Sequence, residues 1–227
     1  MSSHTASITV SLTAADGHRF NAYVAQPAGT PRGALVVVQE IFGVNPHIRS
    51  VADGYAADGY LAIAPALFDR TERGIELGYS AADVTRGRSL KDASGNAKPL
   101  LDIAAALAHV QHAGRTGIVG YCWGGLLSWL AACELSGLAA SVPYYGGGVP
   151  GQAALKPRCP VTAHFGERDS LIPIDTVQAF RKAQPAITVH TYAADHGFNC
   201  DQRGSFDATS AALARTRTLA FLREHVG

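Results

Sequence analysis

The chain carries no block of like charges and no excess of either sign, since 19 Lys and Arg stand against 18 Asp and Glu in 227 residues. Nothing in that balance draws it toward a polyanion or an anionic membrane surface, so nucleic acid is not an expected partner. Long apolar runs are missing too. ALVVV and YLAIAPALF fall far short of the roughly 20 residues that a membrane-spanning helix needs. The opening MSSHTASITVSLTAADG has neither the basic start nor the apolar middle of a secretory signal. A soluble cytoplasmic protein is the expectation. Cysteine is scarce, and Cys122, Cys133, Cys159 and Cys200 are irregularly spaced, which suits neither a disulfide framework nor a zinc site built on C-x-x-C pairs. All four read as thiols. No repeat, linker or low-complexity stretch interrupts the chain, and 47% apolar composition fits a single domain over residues 1–227.

What is present is a regular alternation. ASITVSL and RFNAYVAQP, joined by TAADGH, read as an antiparallel hairpin whose Asp16-Gly17 pair supplies the turn. Six short apolar runs follow, at 33–40, 60–65, 115–121, 138–146, 160–166 and 186–193, with the character of strands covered on both faces. Segments of helical length lie between most of them, at 47–58, 81–91, 97–112, 124–136, 174–184 and 207–225. The last repeats apolar residues at Ala208, Ala212, Leu219, Leu222 and Val226. The pattern predicts an α/β fold with a mostly parallel sheet, helices on both faces and reactive residues gathered at the carboxyl ends of the strands. Residues 66–80 are the longest irregular connection and are expected to wall a site.

One turn carries chemistry. RTGIVGYCWGGLLSWLAACEL reads as strand, sharp turn and apolar helix, the turn being G-x-C-x-G at Gly120, Cys122 and Gly124. A nucleophile in such a turn adopts a strained backbone, and flanking glycines remove the Cβ atoms that would clash where strand and helix pass. The helix N-terminus beside Cys122 favours a thiolate. The same pattern also fits a small residue packed between strand and helix.

Partners for a nucleophile are sought downstream, an acid and then a histidine. PVTAHFGERDSLIP puts Asp169 just past a strand end, with Glu167 and Asp175 competing. AITVHTYAADHGFNCD puts His196 just past the next. The other histidines have weaker claims. His164 and His190 lie inside strands, His109 and His112 on a helix, His4 and His18 near the start, and His47 and His225 near helix ends.

Taken with QEIFGVNPHIR (39–49), APALFDR (64–70), VGYCWGG (119–125), YYG (144–146), GERDSLIP (166–173) and DHGFNCDQR (195–203), the chain resembles the dienelactone hydrolase family, the carboxymethylenebutenolidases, over nearly its whole length. The resemblance implies an α/β-hydrolase fold with Cys122 as nucleophile, Asp169 as orienting acid and His196 as base. It also implies that Glu40 contacts the thiol and takes part in its activation. The backbone N–H groups of Ile41 and Trp123 form the expected oxyanion hole, and Trp123 and Phe42 are expected to help exclude water. Arg70 matches the first carboxylate-binding arginine of the family pattern. The second match fails, because Cys200 occupies that position, three residues before Arg203. Arg203 is a candidate substitute or a structural ion pair, and Tyr144 and Tyr145 either line the pocket or satisfy their hydroxyls in the core.

The function expected is hydrolysis of an enol-lactone or small carboxylate-bearing ester through a thioester, as in aromatic-compound degradation. No cofactor is called for, and no ligand set for a metal is evident around Cys200. The expected assembly is a monomer or small homo-oligomer. Two other classes remain open at this point: a thiol-based redox protein, in which Cys200 could partner Cys122, and a non-catalytic ligand-binding member of the fold.

Overall fold

The computed structural model describes residues 6–227, so His4 lies outside the described residues. β1 (Ala6–Thr13) and β2 (Arg19–Gln26) pair antiparallel from Ala6 opposite Gln26 to Thr13 opposite Arg19. Gly17 closes their turn at φ +82°, a conformation open to glycine because it has no Cβ. β2 then pairs antiparallel with β4 (Leu61–Pro65). From β4 onward every neighbour is parallel: β3 (Ala34–Val38), β5 (Thr116–Tyr121), β6 (Leu138–Tyr144), β7 (Thr162–Gly166) and β8 (Thr188–Tyr192). The sheet order is β1-β2-β4-β3-β5-β6-β7-β8. The runs read as strands are strands, and the six after the hairpin are one or two residues shorter at one or both ends because the flanking residues turn away from the ladder.

The central strands are apolar throughout because both their faces are covered. Leu35, Val36, Val37 and Val38 are wholly buried, as are Ile118 and Val119 beside them. The covering helices are α1 (Pro46–Ala57), α2 (Ala81–Ser94), α3 (Ala97–Val110), α4 (Trp123–Glu134), α5 (Ile174–Ala183) and α6 (Ala208–His225). Local chemistry sets where they start. Asn45 caps α1 through its side chain, with Pro46 in the first turn, and Ser80 and Asp83 form a reciprocal capping box on α2. Asp207 accepts from the Ser210 amide at the start of α6. No helix among the described residues is long and apolar enough to cross a membrane.

Two segments depart from the sequence reading. His112 lies in a single 3-10 turn after α3, not in the helix. The 66–80 connection begins with another 3-10 turn at Leu67–Arg70, and it backs the reactive cavity rather than lining it. Its Tyr79 ring packs edge-on against Phe42 at 4.6 Å, and Phe42 is the residue that reaches the cavity.

Candidate active site

Parallel pairing aligns the ends of β3, β5 and β6: Val38 stands opposite Gly120, and Tyr121 opposite Tyr144. Residues that follow these strands therefore emerge side by side, Glu40 after β3, Cys122 after β5 and Tyr145 after β6. Cys122 takes φ +56°, a left-handed value that a side chain adopts only when its surroundings hold it there. Its amide donates to the Tyr144 carbonyl at 3.0 Å, and its own carbonyl accepts from the Gly125 amide at 3.0 Å. The flanking glycines are steric necessities. A Cβ at Gly120 would strike the Gly124 carbonyl, and one at Gly124 would strike the carbonyls of Val38 and Gln39.

The half-buried Cys122 thiol meets a buried histidine. His196 Nε2 lies 3.1 Å from Cys122 Sγ, and His196 Nδ1 lies 2.7 Å from Asp169 Oδ2. Asp169 is held by its own turn, because its Oδ1 accepts from the Leu171 and Ile172 amides at 2.9 and 3.2 Å. The competing carboxylates are elsewhere: Glu167 accepts from Thr191 on the surface, and Asp175 sits in the first turn of α5. Burial alone would depress the His196 imidazole, but the charge on Cys122 and the bond to Asp169 overcome it and hold its pKa up at about 10. Tyr145 packs edge-on to the ring at 5.2 Å.

His164 has a structural setting. It is wholly buried and bonds Tyr192 at 2.8 Å and Thr218 at 3.1 Å. Burial keeps it neutral, well below the ordinary imidazole value.

Cys122 and His196 open into a cavity of about 330 Å³. Ile41, Phe42, Val84, Trp123, Leu126 and Leu171 give it an apolar body, and Arg88, Lys91, Asn96 and Arg203 give it a polar, cationic side. Trp123 is fixed by stacking on Phe68 at 5.4 Å and by donating its indole N–H to Asn96 at 3.0 Å. Gln39 Nε2 donates to the Glu40 carbonyl at 3.2 Å. In a planar trans peptide this fixes the Ile41 N–H in the opposite direction.

Three sequence expectations need correction. Arg70 does not line the cavity. Its guanidinium binds Asp102 through two hydrogen bonds of 2.7 and 2.8 Å and Asp16 through two more, so its donors are consumed in an ion pair. Tyr144 is a core residue whose hydroxyl bonds Thr218 at 2.6 Å. Glu40 is buried, but its Oε1 accepts from Arg203 at 3.3 Å while the thiol pairs with His196; the expected Glu40–thiol contact is not formed. Arg203 does reach the cavity, with its guanidinium 5.7 Å from the Phe42 ring, and Cys200 is buried behind it. Arg88 and Lys91 were missed. With Val84 they recur at helical spacing on one face of α2, a signal that resembles an ordinary solvated face until the cavity is seen beside it.

A sheet of this order, with a strained residue between β5 and α4 and a histidine–carboxylate pair from the loops after β8 and β7, defines an α/β-hydrolase. A profile of the dienelactone hydrolase family matches residues 20–226. A carboxymethylenebutenolidase of Pseudomonas putida is 33% identical over 224 residues, covering 94% of each chain. A Synechocystis protein provisionally named a carboxymethylenebutenolidase is 38% identical over 213 residues, 85% of this chain and 86% of that one. A Klebsiella pneumoniae crystal structure, provisionally named a dienelactone hydrolase, superposes with a TM-score of 0.83 at 32% identity, covering 97% of this chain and all of that one. The chain belongs to the dienelactone hydrolase family, and it is a hydrolase of carboxylic esters or lactones.

Proposed function

We propose that the protein hydrolyses an enol-lactone or small ester bearing a carboxylate, through a Cys122–His196–Asp169 triad and a thioester on Cys122. The observation that carries this reading is the unbroken chain from Sγ to Nε2 at 3.1 Å and from Nδ1 to Oδ2 at 2.7 Å, opening into a cavity with a cationic side. The substrate carboxylate is held by Arg203, the one cavity guanidinium already bonded to a buried partner, with Arg88 and Lys91 adding positive charge. Glu40 acts as a positioning residue, steadying Arg203 rather than touching the sulfur.

The Cys122 thiolate attacks the carbonyl carbon, and the charge that develops on its oxygen is met by the Ile41 and Trp123 N–H groups. Collapse breaks the acyl–oxygen bond, and the leaving enolate takes the proton from His196. The thioester carries no thiolate charge, so the largest influence raising the imidazole pKa is gone. Having given its Nε2 proton to the leaving group, His196 is neutral, with Asp169 holding the proton on Nδ1. Its Nε2 accepts a proton from water as the water oxygen attacks the thioester, and the thiolate leaves. An enolate leaves easily, which suits a thiolate nucleophile; an amide would be a poor substrate.

The test is intact-mass spectrometry after mixing with an activated ester, together with steady-state assay of lactones with and without a carboxylate. An acyl adduct on the Cys122 peptide and loss of turnover in Cys122→Ala are expected. Undiminished turnover in Cys122→Ala would reject the reading.

A further inference from the structure

Behind the cavity, the fold brings three residues together that are distant in sequence. Glu40 follows β3, His47 lies in the first turn of α1 and Cys200 sits in the loop after β8. One ligand atom from each lies within 4.8 Å of the others, and all three residues are buried. Two of these side chains carry polar atoms without hydrogen-bond partners, Glu40 Oε2 and His47 Nε2. Leaving such groups buried and unpaired is costly, which calls for an occupant.

We propose that Glu40 Oε2, His47 Nε2 and Cys200 Sγ bind a thiophilic divalent cation of the Zn²⁺ class. The donor set is the first argument. Thiolate, imidazole and carboxylate together suit Zn²⁺ or Co²⁺ rather than Mg²⁺ or Ca²⁺, which prefer oxygen alone. Around a tetrahedral zinc, sulfur and nitrogen ligands stand about 3.5 Å apart. Closing the trio around an ion therefore needs roughly an ångström of side-chain movement, and water completes the coordination. The second argument is the tautomer of His47. Its Nδ1 lies 3.2 Å from Asp201 Oδ1, so the ring proton belongs on Nδ1 and the buried, unpartnered Nε2 carries the lone pair available to a ligand. A carboxylate behind the ring is the arrangement that orients metal-bound histidines.

Charge and access agree. Glu40 and a Cys200 thiolate offset a divalent cation, while the other Glu40 oxygen keeps its bond to Arg203. A surface cleft lined by His47, Asn199, Asp201 and Phe206 reaches one member of the trio. The Asp201 side chain, 66% exposed, puts an acidic group at its mouth.

The test is titration of the full-length Cys122→Ala protein with Co²⁺ alone, followed by absorbance, with zinc stoichiometry measured in parallel by calorimetry. Removing Cys122 eliminates the thiol in the cavity, and Cys159, also partly exposed, is common to every variant compared. One metal per chain and a thiolate-to-cobalt charge-transfer band are expected. Cys200→Ala should abolish the band. Asp201→Asn, an exposed change that leaves the ligands in place, should weaken binding by about 10- to 100-fold. No stoichiometric metal, or a band that persists without Cys200, would overturn the proposal, and the unsubstituted trio alone suffices for the first of these results.

Discussion

Replacing Arg70 by methionine separates a structural arginine from a substrate-binding one. The Arg70 side chain is 7% exposed, and the Asp102 side chain it grips is fully buried. Removing the guanidinium leaves a buried carboxylate that has lost two short hydrogen bonds, a change that costs about 3–5 kcal/mol. The bonds to exposed Asp16 add little, since water replaces them. Against a typical total of about 5–15 kcal/mol, that is a large fraction of the stability. Burial already pushes the Asp102 carboxyl up, and Arg70 opposes it. In Arg70→Met the folded pKa rises further above the unfolded value of about 3.9. Both states are then protonated below that value, where the deficit is smallest, and the deficit grows as pH rises through the folded pKa. Urea unfolding of wild type and variant at pH 4.5 and pH 7.5 measures this. A double change, Arg70→Met with Asp102→Leu, should recover most of the loss, because it removes the unpaired charge. At a temperature where the variant stays folded, its KM for a carboxylate ester should match wild type. The reasoning fails if Arg70→Met is as stable as wild type within about 1 kcal/mol, or if KM rises only for anionic substrates.

Four further outcomes follow from the site. Arg203→Met should raise KM for a carboxylate ester by roughly 10- to 100-fold, the worth of a charge-assisted bond, and change a neutral ester far less; equal effects on both would remove Arg203 from carboxylate binding. Asp169→Asn should lower kcat by roughly 10³- to 10⁴-fold through loss of the correct imidazole tautomer, with circular dichroism unchanged; a loss below tenfold would contradict that role. In NMR titration the His196 ring should keep its second proton up to about pH 10, and in Cys122→Ala it should release it at lower pH. Because the folded value is the higher one, the associated stabilisation is complete below about pH 6.5 and fades as pH rises through about 10. An unaltered titration in Cys122→Ala would refute the coupling. Gly124→Ala should eliminate turnover or prevent folding, since the methyl group meets the Val38 and Gln39 carbonyls; a folded variant with wild-type kcat would show that β3 and α4 can separate without loss.

How much of this was legible depends on whether the signal is local. The strands announced themselves through short apolar runs because both faces of the sheet are covered. The turn at Cys122 could be read from its glycines because the clash they avoid lies between that turn and the strand beside it. Asp169 and His196 could be placed because a residue just past a parallel strand emerges at the same edge as its neighbours. Arg70 illustrates where such reasoning stops. Its position after β4 was legible, but its partner, Asp102, comes from α3 and is set opposite it only by packing.

The same limit applies to the cationic side of the cavity and to the buried trio behind it. Arg88 and Lys91 stand on a polar helix face, and that polarity looks identical whether the face meets solvent or a substrate cavity. Glu40, His47 and Cys200 lie on three separate loops and helix ends, with no spacing that joins them. By itself the sequence determined the order of strands and helices, the strained turn and the edge at which reactive groups collect, because periodicity and steric demand act between near neighbours. Only the tertiary structure decided which charge meets which, since a long side chain takes its partner from whatever the packed sheet sets within its reach.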